Sequence, residues 1–183
     1  MGSIEQIIED GSNLHISLSS PISSSLKVDQ SVAHNGICLT IVDTKNNKHT
    51  VTAIKESIER TDIRDWKVGS KINLERCMPA SGRFDGHIVQ GHVDCVAICT
   101  KITSENGSSR FYFSLNQETK LMVEKGSICI NGISLTLVDA EPSSFSVAII
   151  PYTLENTNLK KIQVKDKVNI EFDILGKYIA KML

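Results

Sequence analysis

Two short stretches of the chain place reactive side chains at matching positions. Ser31–Asp43 reads SVAHNGICLTIVD and Ser127–Asp139 reads SICINGISLTLVD, with Cys38 in the first standing where Ser134 stands in the second. A thiol or hydroxyl there could add to an electrophilic carbon or polarise it. Both are also small residues that can simply fill a strand face, and an unpaired cysteine is commonly a buried hydrophobe. His92, in QGHVD, follows a glycine and precedes a strand. Imidazole titrates near neutral pH, which makes His92 the candidate general acid or base. Its neighbour Gly91 is where a backbone can approach a ligand. His87, five residues earlier, is read as orienting the segment.

The elements that must position these groups are written twice. Ser134 lies 134 − 38 = 96 residues after Cys38, and eight of the thirteen aligned positions are identical. The same offset aligns Ser57–Glu75 with Thr153–Glu171 without a gap, so that Glu59, Thr61, Lys71, Asn73 and Glu75 recur as Glu155, Thr157, Lys167, Asn169 and Glu171. Two ungapped blocks at one offset are an internal duplication. Each copy alternates apolar and polar residues with a period of two, as in Ile37, Leu39 and Ile41 against Cys38, Thr40 and Val42. Asn-Gly at 35–36 and 131–132 predicts a hairpin in each copy. Many short strands with closely spaced turns predict an all-β chain of two small barrels. The tail DILGKYIAKML differs: Ile174, Leu175, Tyr178, Ile179, Met182 and Leu183 follow helical spacing on one face. That stripe covers either its own barrel or a partner subunit.

Composition narrows the function. The chain has 183 residues, 40% hydrophobic and 22% charged, with a formal net charge of −1. It has the profile of a soluble globular protein with no global basic field to hold nucleic acid or an anionic membrane. No apolar run approaches the roughly 18 residues that span a bilayer, and MGSIEQIIEDGS lacks the features of a signal peptide. Cys38, Cys77, Cys95, Cys99 and Cys129 are odd in number and show no tight pairing pattern, which favours free thiols in the cytoplasm. Cys95 and Cys99 have no second Cys/His pair to complete a zinc site, so no metal is expected.

VAHNGICLT, GRFDGHIVQGHVD, NGISLTLVD, IPYTLENTNL and KVNIEFDILGKYI together resemble the alpha-chain riboflavin synthase family, in order and through both copies. The resemblance implies two tandem six-stranded Greek-key β-barrels and a C-terminal α-helix, divided as 1–86, 87–172 and 173–183. It implies one 6,7-dimethyl-8-ribityllumazine per barrel and a dismutation in which one lumazine gives a four-carbon unit to the other. The products would be riboflavin and 5-amino-6-ribitylamino-pyrimidinedione. No metal or redox cofactor is implied. A homotrimer is, with sites formed between the N-terminal barrel of one subunit and the C-terminal barrel of its neighbour. Two equivalent pockets suit two identical substrates, whose reaction gains from orientation alone.

The resemblance puts Cys38 and Ser134 at the pteridine ring and gives His92 the proton chemistry at the substrate's C7 methyl group. It assigns binding to Leu39 and Thr40 with Leu135 and Thr136, and to Gly91 and Val93 around His92. It also assigns the loop residues Ile54, Ser57 and Glu59 with their counterparts Ile150, Pro151, Tyr152, Thr153 and Glu155. The Ser57 and Thr153 hydroxyls suit a ribityl chain, although Ser/Thr followed by Glu is also common in a capped turn. Lys125 matches a family ligand position and Asp173 is a weaker candidate. The family opens with Met-Phe-Thr-Gly where this chain has Met-Gly-Ser-Ile-Glu, and at offset 96 the stretch GHVDC has no counterpart in the first copy. The first strand is therefore expected to be short. A non-catalytic lumazine or flavin carrier, such as an optical antenna protein, is the alternative. A ligand-free interaction barrel ranks last, because it leaves two equivalent polar motifs without a purpose.

Overall fold

The computed structural model describes residues 1–183. In the first unit β1 (Gly2–Asp10), β2 (Asn13–Ser19), β3 (Ser31–His34), β4 (Ile37–Lys45) and β5 (Lys48–Ala53) precede the short helix α1 (Lys55–Arg60), and β6 (Lys71–Ile72) and β7 (Leu74–Arg76) follow it. The second unit repeats the plan. It comprises β8 (Cys95–Glu105), β9 (Ser108–Leu115), β10 (Ser127–Ile130), β11 (Ile133–Glu141), β12 (Ser144–Ile149), α2 (Pro151–Asn156) and β13 (Lys167–Phe172), and α3 (Ile174–Met182) ends the chain.

The second unit is a closed barrel in the order β10-β11-β12-β9-β8-β13, all antiparallel. The first runs β6-β1-β2-β5-β4-β3-β7. Its two end strands are successive pieces of one segment interrupted at Asn73, so the ring closes through residues 71–76. The expected six strands thus become seven short ones in the first unit and remain six in the second. The difference lies in the neighbouring strand: β1 pairs with this segment only at Lys71 and Ile72, whereas β8 pairs with Lys167 through Ile170 of the continuous β13. The Asn73 amide bond to the Asn35 side chain (2.8 Å) recurs at Asn169 and Asn131 without breaking that strand.

Alternation dictates what faces inward. Ile16, Leu18, Leu39, Ile41 and Val51 are buried in one core, and Phe111, Phe113, Leu137, Phe145 and Val147 fill the other, with the Phe113 and Phe145 rings stacked at 5.3 Å. Residues between them in sequence, such as Cys38, Thr40, Ser134 and Thr136, stand on the outer faces. Close packing of these two separate cores supplies the main stabilisation of each barrel.

The barrels meet at their Asn-Gly turns. Asn35 and Asn131 have positive φ of 48°, followed by Gly36 and Gly132 at 79° and 83°, the conformation a tight hairpin requires. A Cβ on Gly36 would lie 2.8 Å from the Gly132 nitrogen, so only glycine lets the two turns touch. A buried polar lattice surrounds this contact. Asn73 Nδ2 donates to the Asn131 carbonyl (3.0 Å) and to Asn158 Oδ1 (2.9 Å). On the other side Asn169 Nδ2 donates to the Asn35 carbonyl (2.9 Å) and to Asp62 Oδ1 (2.7 Å). The Asp62 and Asn158 amides return the bonds to Asn169 and Asn73 at 2.9 Å each. Recurrence of Asn73 as Asn169 in the sequence is explained by this reciprocal lattice. No helix is long and apolar enough to cross a membrane.

Candidate functional site

A cavity of about 450 Å³ opens on the outer face of the second barrel. Ser134, Leu135 and Thr136 of β11 form one wall, and Ala148, Ile150 and Thr153 at the β12–α2 junction form another. Ser127 and the connecting segment 85–87 complete it. An apolar floor edged by hydroxyls suits a flat heteroaromatic ring carrying a polyol. Subtracting 96 carries the barrel-derived lining onto Ser31, Cys38, Leu39, Thr40, Thr52, Ala53, Ile54 and Ser57 of the first barrel.

The segment between the barrels is laid across both twin positions. At Gly86 an added Cβ would lie 2.6 Å from Ser134 Oγ, and at Gly91 it would lie 2.8 Å from Cys38 Cβ. Gly91 has φ of 80°, and its carbonyl accepts the Cys38 amide N–H at 2.8 Å. The two Gly-His pairs of GHIVQGH therefore lie over one site each. Glu171 fastens the second pair: its carboxylate, buried at 2% exposure, accepts the backbone N–H groups of Gln90 (2.7 Å), Gly91 (2.8 Å) and His92 (3.0 Å). A groove of about 570 Å³ runs beneath the segment, lined by Cys38, Cys77, Phe84, Gly91, Gly132 and Ser134 among others.

The histidine that meets Ser134 is His87. Its Nδ1 is 2.7 Å from Ser134 Oγ, and its backbone N–H donates to the same oxygen at 3.2 Å. Burial holds the His87 imidazole below the usual histidine range, against the opposing pull of Asp173 and Glu171. A neutral imidazole on a serine hydroxyl is the arrangement of a base and the group it activates. His87 Nε2 is shielded from solvent and has no partner within the chain, leaving one ring nitrogen free to meet a ligand atom. Three other cysteines are unsuited to chemistry: burial pushes the Cys95 thiol up to about 11 and Cys129 to about 12, and raises Cys99 as well. No group of three or more His, Cys, Asp or Glu side chains converges as a metal site.

Comparison with known proteins matches this geometry to a family. The lumazine binding domain matches residues 1–77 and again 90–173. Riboflavin synthase from Actinobacillus pleuropneumoniae is 39% identical over 187 aligned residues, covering all of this chain and 86% of that protein. The Bacillus subtilis riboflavin synthase is likewise 39% identical with the same coverage. The enzyme of Saccharomyces cerevisiae is 37% identical over 94% of this chain and 75% of its own length. The chain belongs to the riboflavin synthase family. Among solved structures, LumP complexed with 6,7-dimethyl-8-(1'-D-ribityl) lumazine shares the fold with a TM-score of 0.83, at 23% identity over 93% of each chain.

Within that family fold, the sequence-derived residues separate into groups. Ser134, Leu135, Thr136, Ile150 and Thr153 line the second barrel's cavity, and Cys38 and Gly91 share the groove with Ser134. Thr40, Ile54 and Ser57 occupy the repeat-related positions of the first barrel, while Leu39 is buried at 4% exposure with its side chain in that barrel's core. Pro151 and Tyr152 start α2 on its solvent side, and Glu155 is exposed. Glu59 is exposed and 3.9 Å from Lys55 Nζ. Lys125 is exposed in a left-handed turn with φ of 63°. Val93 packs against the first barrel's core, although it lies after the sequence boundary at 86. His92 is exposed, and its recorded hydrogen bond is made by its backbone, not its ring. Sequence reasoning passed over Thr52 and Ala148, whose offset relation was the available signal, and gave His87 only an orienting role.

Proposed function

We propose that the chain catalyses the dismutation of two 6,7-dimethyl-8-ribityllumazine molecules, one held by each barrel, to riboflavin and 5-amino-6-ribitylamino-pyrimidinedione. The observation that carries this reading is the segment 85–92, which places a Gly-His pair over Ser134 in one barrel and over Cys38 in the other. Four carbons leave one molecule and join its twin, so the atoms balance without an oxidant or reductant. What the protein supplies is orientation, proton movement and a polar contact at the ring.

Ser134 and Cys38 are the groups assigned to the ring carbon that accepts the four-carbon unit. The hydrogen bond that the Ser134 hydroxyl donates to His87 Nδ1 when that nitrogen is unprotonated favours Ser134 as the activated member, because a hydroxyl at its free pKa is a weak nucleophile and needs a base. Proton removal from the C7 methyl group falls to His87 or His92, and the half-buried imidazole of His87, lowered by that burial, is the better supported. Thr40, Ser57, Thr136 and Thr153 hold the ribityl hydroxyls, with Ile54, Leu135 and Ile150 against the ring. Gly91, Val93, Leu39, Glu59, Lys125, Pro151, Tyr152 and Glu155 shape these sites from behind or at their rims. Domain limits of 1–86, 87–172 and 173–183 remain the organisation we infer.

The assembly we infer is a homotrimer in the cytoplasm. Its support is the tail helix, where Leu175, Tyr178, Ile179 and Met182 are exposed by 59–85%. Five free thiols suit a reducing compartment. A non-catalytic carrier needs only one pocket, and retention of the hydroxyl set in both barrels favours the enzyme.

The test is a cofactor-free incubation of the purified protein with 6,7-dimethyl-8-ribityllumazine, followed by absorbance and emission for riboflavin. Riboflavin formation, slowed by replacing Ser134, supports the reading. Stoichiometric binding with an unchanged lumazine spectrum would replace it with the carrier. Light scattering on the same sample tests for three subunits.

A further inference from the structure

The two barrels differ at one pair of repeat-related positions in a way that the twin motifs do not reveal. Thr52 of β5 corresponds to Ala148 of β12, and Ala148 lines the second barrel's cavity. On the outer face of the first barrel, Thr52 stands directly opposite His15 of β2 in the antiparallel register. Ser31 stands opposite Thr40 on the other side of the same face. The Ile41↔Val51 pairing brings Thr40 and Thr52 alongside each other, so Ser31, Thr40, Thr52 and His15 form one polar row across four strands.

His15 is held at both ring nitrogens. Nδ1 lies 2.9 Å from Thr52 Oγ1 and Nε2 lies 3.4 Å from Asp10 Oδ2. A carboxylate only accepts, so the neutral imidazole carries its proton on Nε2 and offers a lone pair at Nδ1. Thr52 must then donate its hydroxyl proton to His15. Its oxygen is left facing outward with lone pairs alone, a fixed acceptor for a ligand hydroxyl.

The second barrel lacks this device. Arg110 occupies the strand position opposite Ala148. With no hydroxyl there to meet, its guanidinium turns to Asp139 (2.6 Å) and Ser146 (3.1 Å). Asp10 and Glu105 close their hairpins at equivalent places, and each approaches the basic residue of its own barrel. The frame is common to both copies, and the hydroxyl with its imidazole partner belongs to the first.

We propose that His15 is a positioning residue of the first barrel's site. It sets Thr52 as an acceptor for a hydroxyl of the bound polyol side chain, a bond the second barrel does not make, and so makes the two sites unequal in affinity and ligand pose. This rests on the reading that each barrel binds one ribityl-bearing ring.

The experiment is a fluorescence-quenching titration of the full chain with riboflavin, repeated with 6,7,8-trimethyllumazine, which has the ring but no polyol. Wild type is compared with His15→Leu, Thr52→Ala, the double variant and His15→Gln, whose amide oxygen can still accept the Thr52 proton. Loss of one neutral hydrogen bond corresponds to roughly a fivefold to tenfold weaker affinity. The expected result is that loss at one of the two riboflavin sites in His15→Leu and in Thr52→Ala, with no further loss in the double variant. His15→Gln should retain most of the affinity, and trimethyllumazine binding should not move in any variant. Unchanged riboflavin affinity in His15→Leu overturns the proposal. So do additive losses, failure of glutamine to rescue, or an equal loss of trimethyllumazine, since each means that His15 does not act through Thr52 on the polyol. A wild-type protein that fails to bind two riboflavin molecules instead overturns the two-site reading beneath it.

Discussion

Asp62 stands in the first barrel where Asn158 stands in the second, since 62 + 96 = 158, and both are buried at 7% exposure between the barrels. The lattice around them is otherwise reciprocal, so this pair marks its one change of chemistry. Asp62 Oδ1 accepts from Trp66 Nε1 (2.9 Å) and Asn169 Nδ2 (2.7 Å). No cation faces it. Burial raises its carboxyl from 3.8 to about 6, against the smaller lowering effects of Asn169 and Trp66.

That shift makes stability depend on pH. The folded state holds the Asp62 proton more tightly than the unfolded chain, so the associated stability is present below 3.8 and is lost as pH rises through about 6. Asp62→Asn removes the loss. Both bonds to Oδ1 can be kept, and the new amide meets acceptors equivalent to those Asn158 uses, Asn35 Oδ1 and the Lys71 carbonyl. The variant should be more stable than wild type by about 1–3 kcal/mol near pH 8, with most of the gain gone near pH 4.5. Urea titrations at the two pH values check it; a gain of equal size at both would show that the buried charge is not the cause.

A second buried pair acts in the opposite direction. His34 Nδ1 is 2.9 Å from the Val32 carbonyl, its Nε2 is 3.0 Å from His49 Nε2, and His49 Nδ1 is 2.8 Å from Ser23 Oγ. The carbonyl accepts only, so His34 must donate there and accept from His49, which in turn accepts from Ser23. The chain is complete only while both rings are neutral. Burial lowers His34 to about 3, with the facing His49 adding to the shift, and burial lowers His49 to about 4. Stability is full above 6.5 and falls as acid protonates the unfolded chain in preference to the folded one. The first barrel should lose about 3–6 kcal/mol between pH 7 and pH 4. Emission of Trp66, the chain's single tryptophan, reports that barrel. Substituting the second barrel's residues as His34→Ile with His49→Phe should move the acid midpoint lower.

At the candidate site, His87→Gln and Ser134→Ala should each reduce riboflavin formation roughly 10²-fold, the scale of a lost general base. The double variant should be no slower than the worse single one, because the two act as a unit. Wild-type activity should fall on the acid side with an apparent pKa below 6.5, because burial lowers His87 and only the neutral ring can act as base. Steady-state rates across pH measure all three. A larger effect from His92→Gln than from His87→Gln would return the proton chemistry to His92.

The duplication, the all-β plan and the two Asn-Gly hairpins were legible because a period of two and a constant offset are local signals. The correspondence of Cys38 with Ser134 was legible from the same offset, but their assignment to the site came from the family resemblance and not from a local signal. Choosing between two Gly-His pairs was not legible. Both have the same local sequence, and what separates them is the path of the connecting segment, which brings His87 to a serine 47 residues away. The Asp62–Asn158 relation could be read as an offset pair, but its burial depends on how the barrels face each other. The hairpin ending at Asp10 is one residue out of step with its counterpart, which hid the match of His15 to Arg110 from a simple subtraction of 96.

Glu171 should be the most sensitive place from which to loosen the connecting segment. Glu171 accepts three successive backbone N–H groups there, and its counterpart Glu75 is exposed. In Glu171→Gln one carboxylate oxygen becomes an NH₂ group facing the amides of the segment, so donors meet donors. The cost should be about 1–3 kcal/mol for buried groups left unsatisfied, against little change in Glu75→Gln. Because Gly91 accepts the Cys38 amide, release of residues 90–92 also frees the cover of the first barrel's site. Hydrogen exchange should quicken at Gln90, Gly91, His92 and Cys38 together, while amides of β11 keep their protection. If exchange quickens at 90–92 and Cys38 stays protected, the segment is not what holds that site closed.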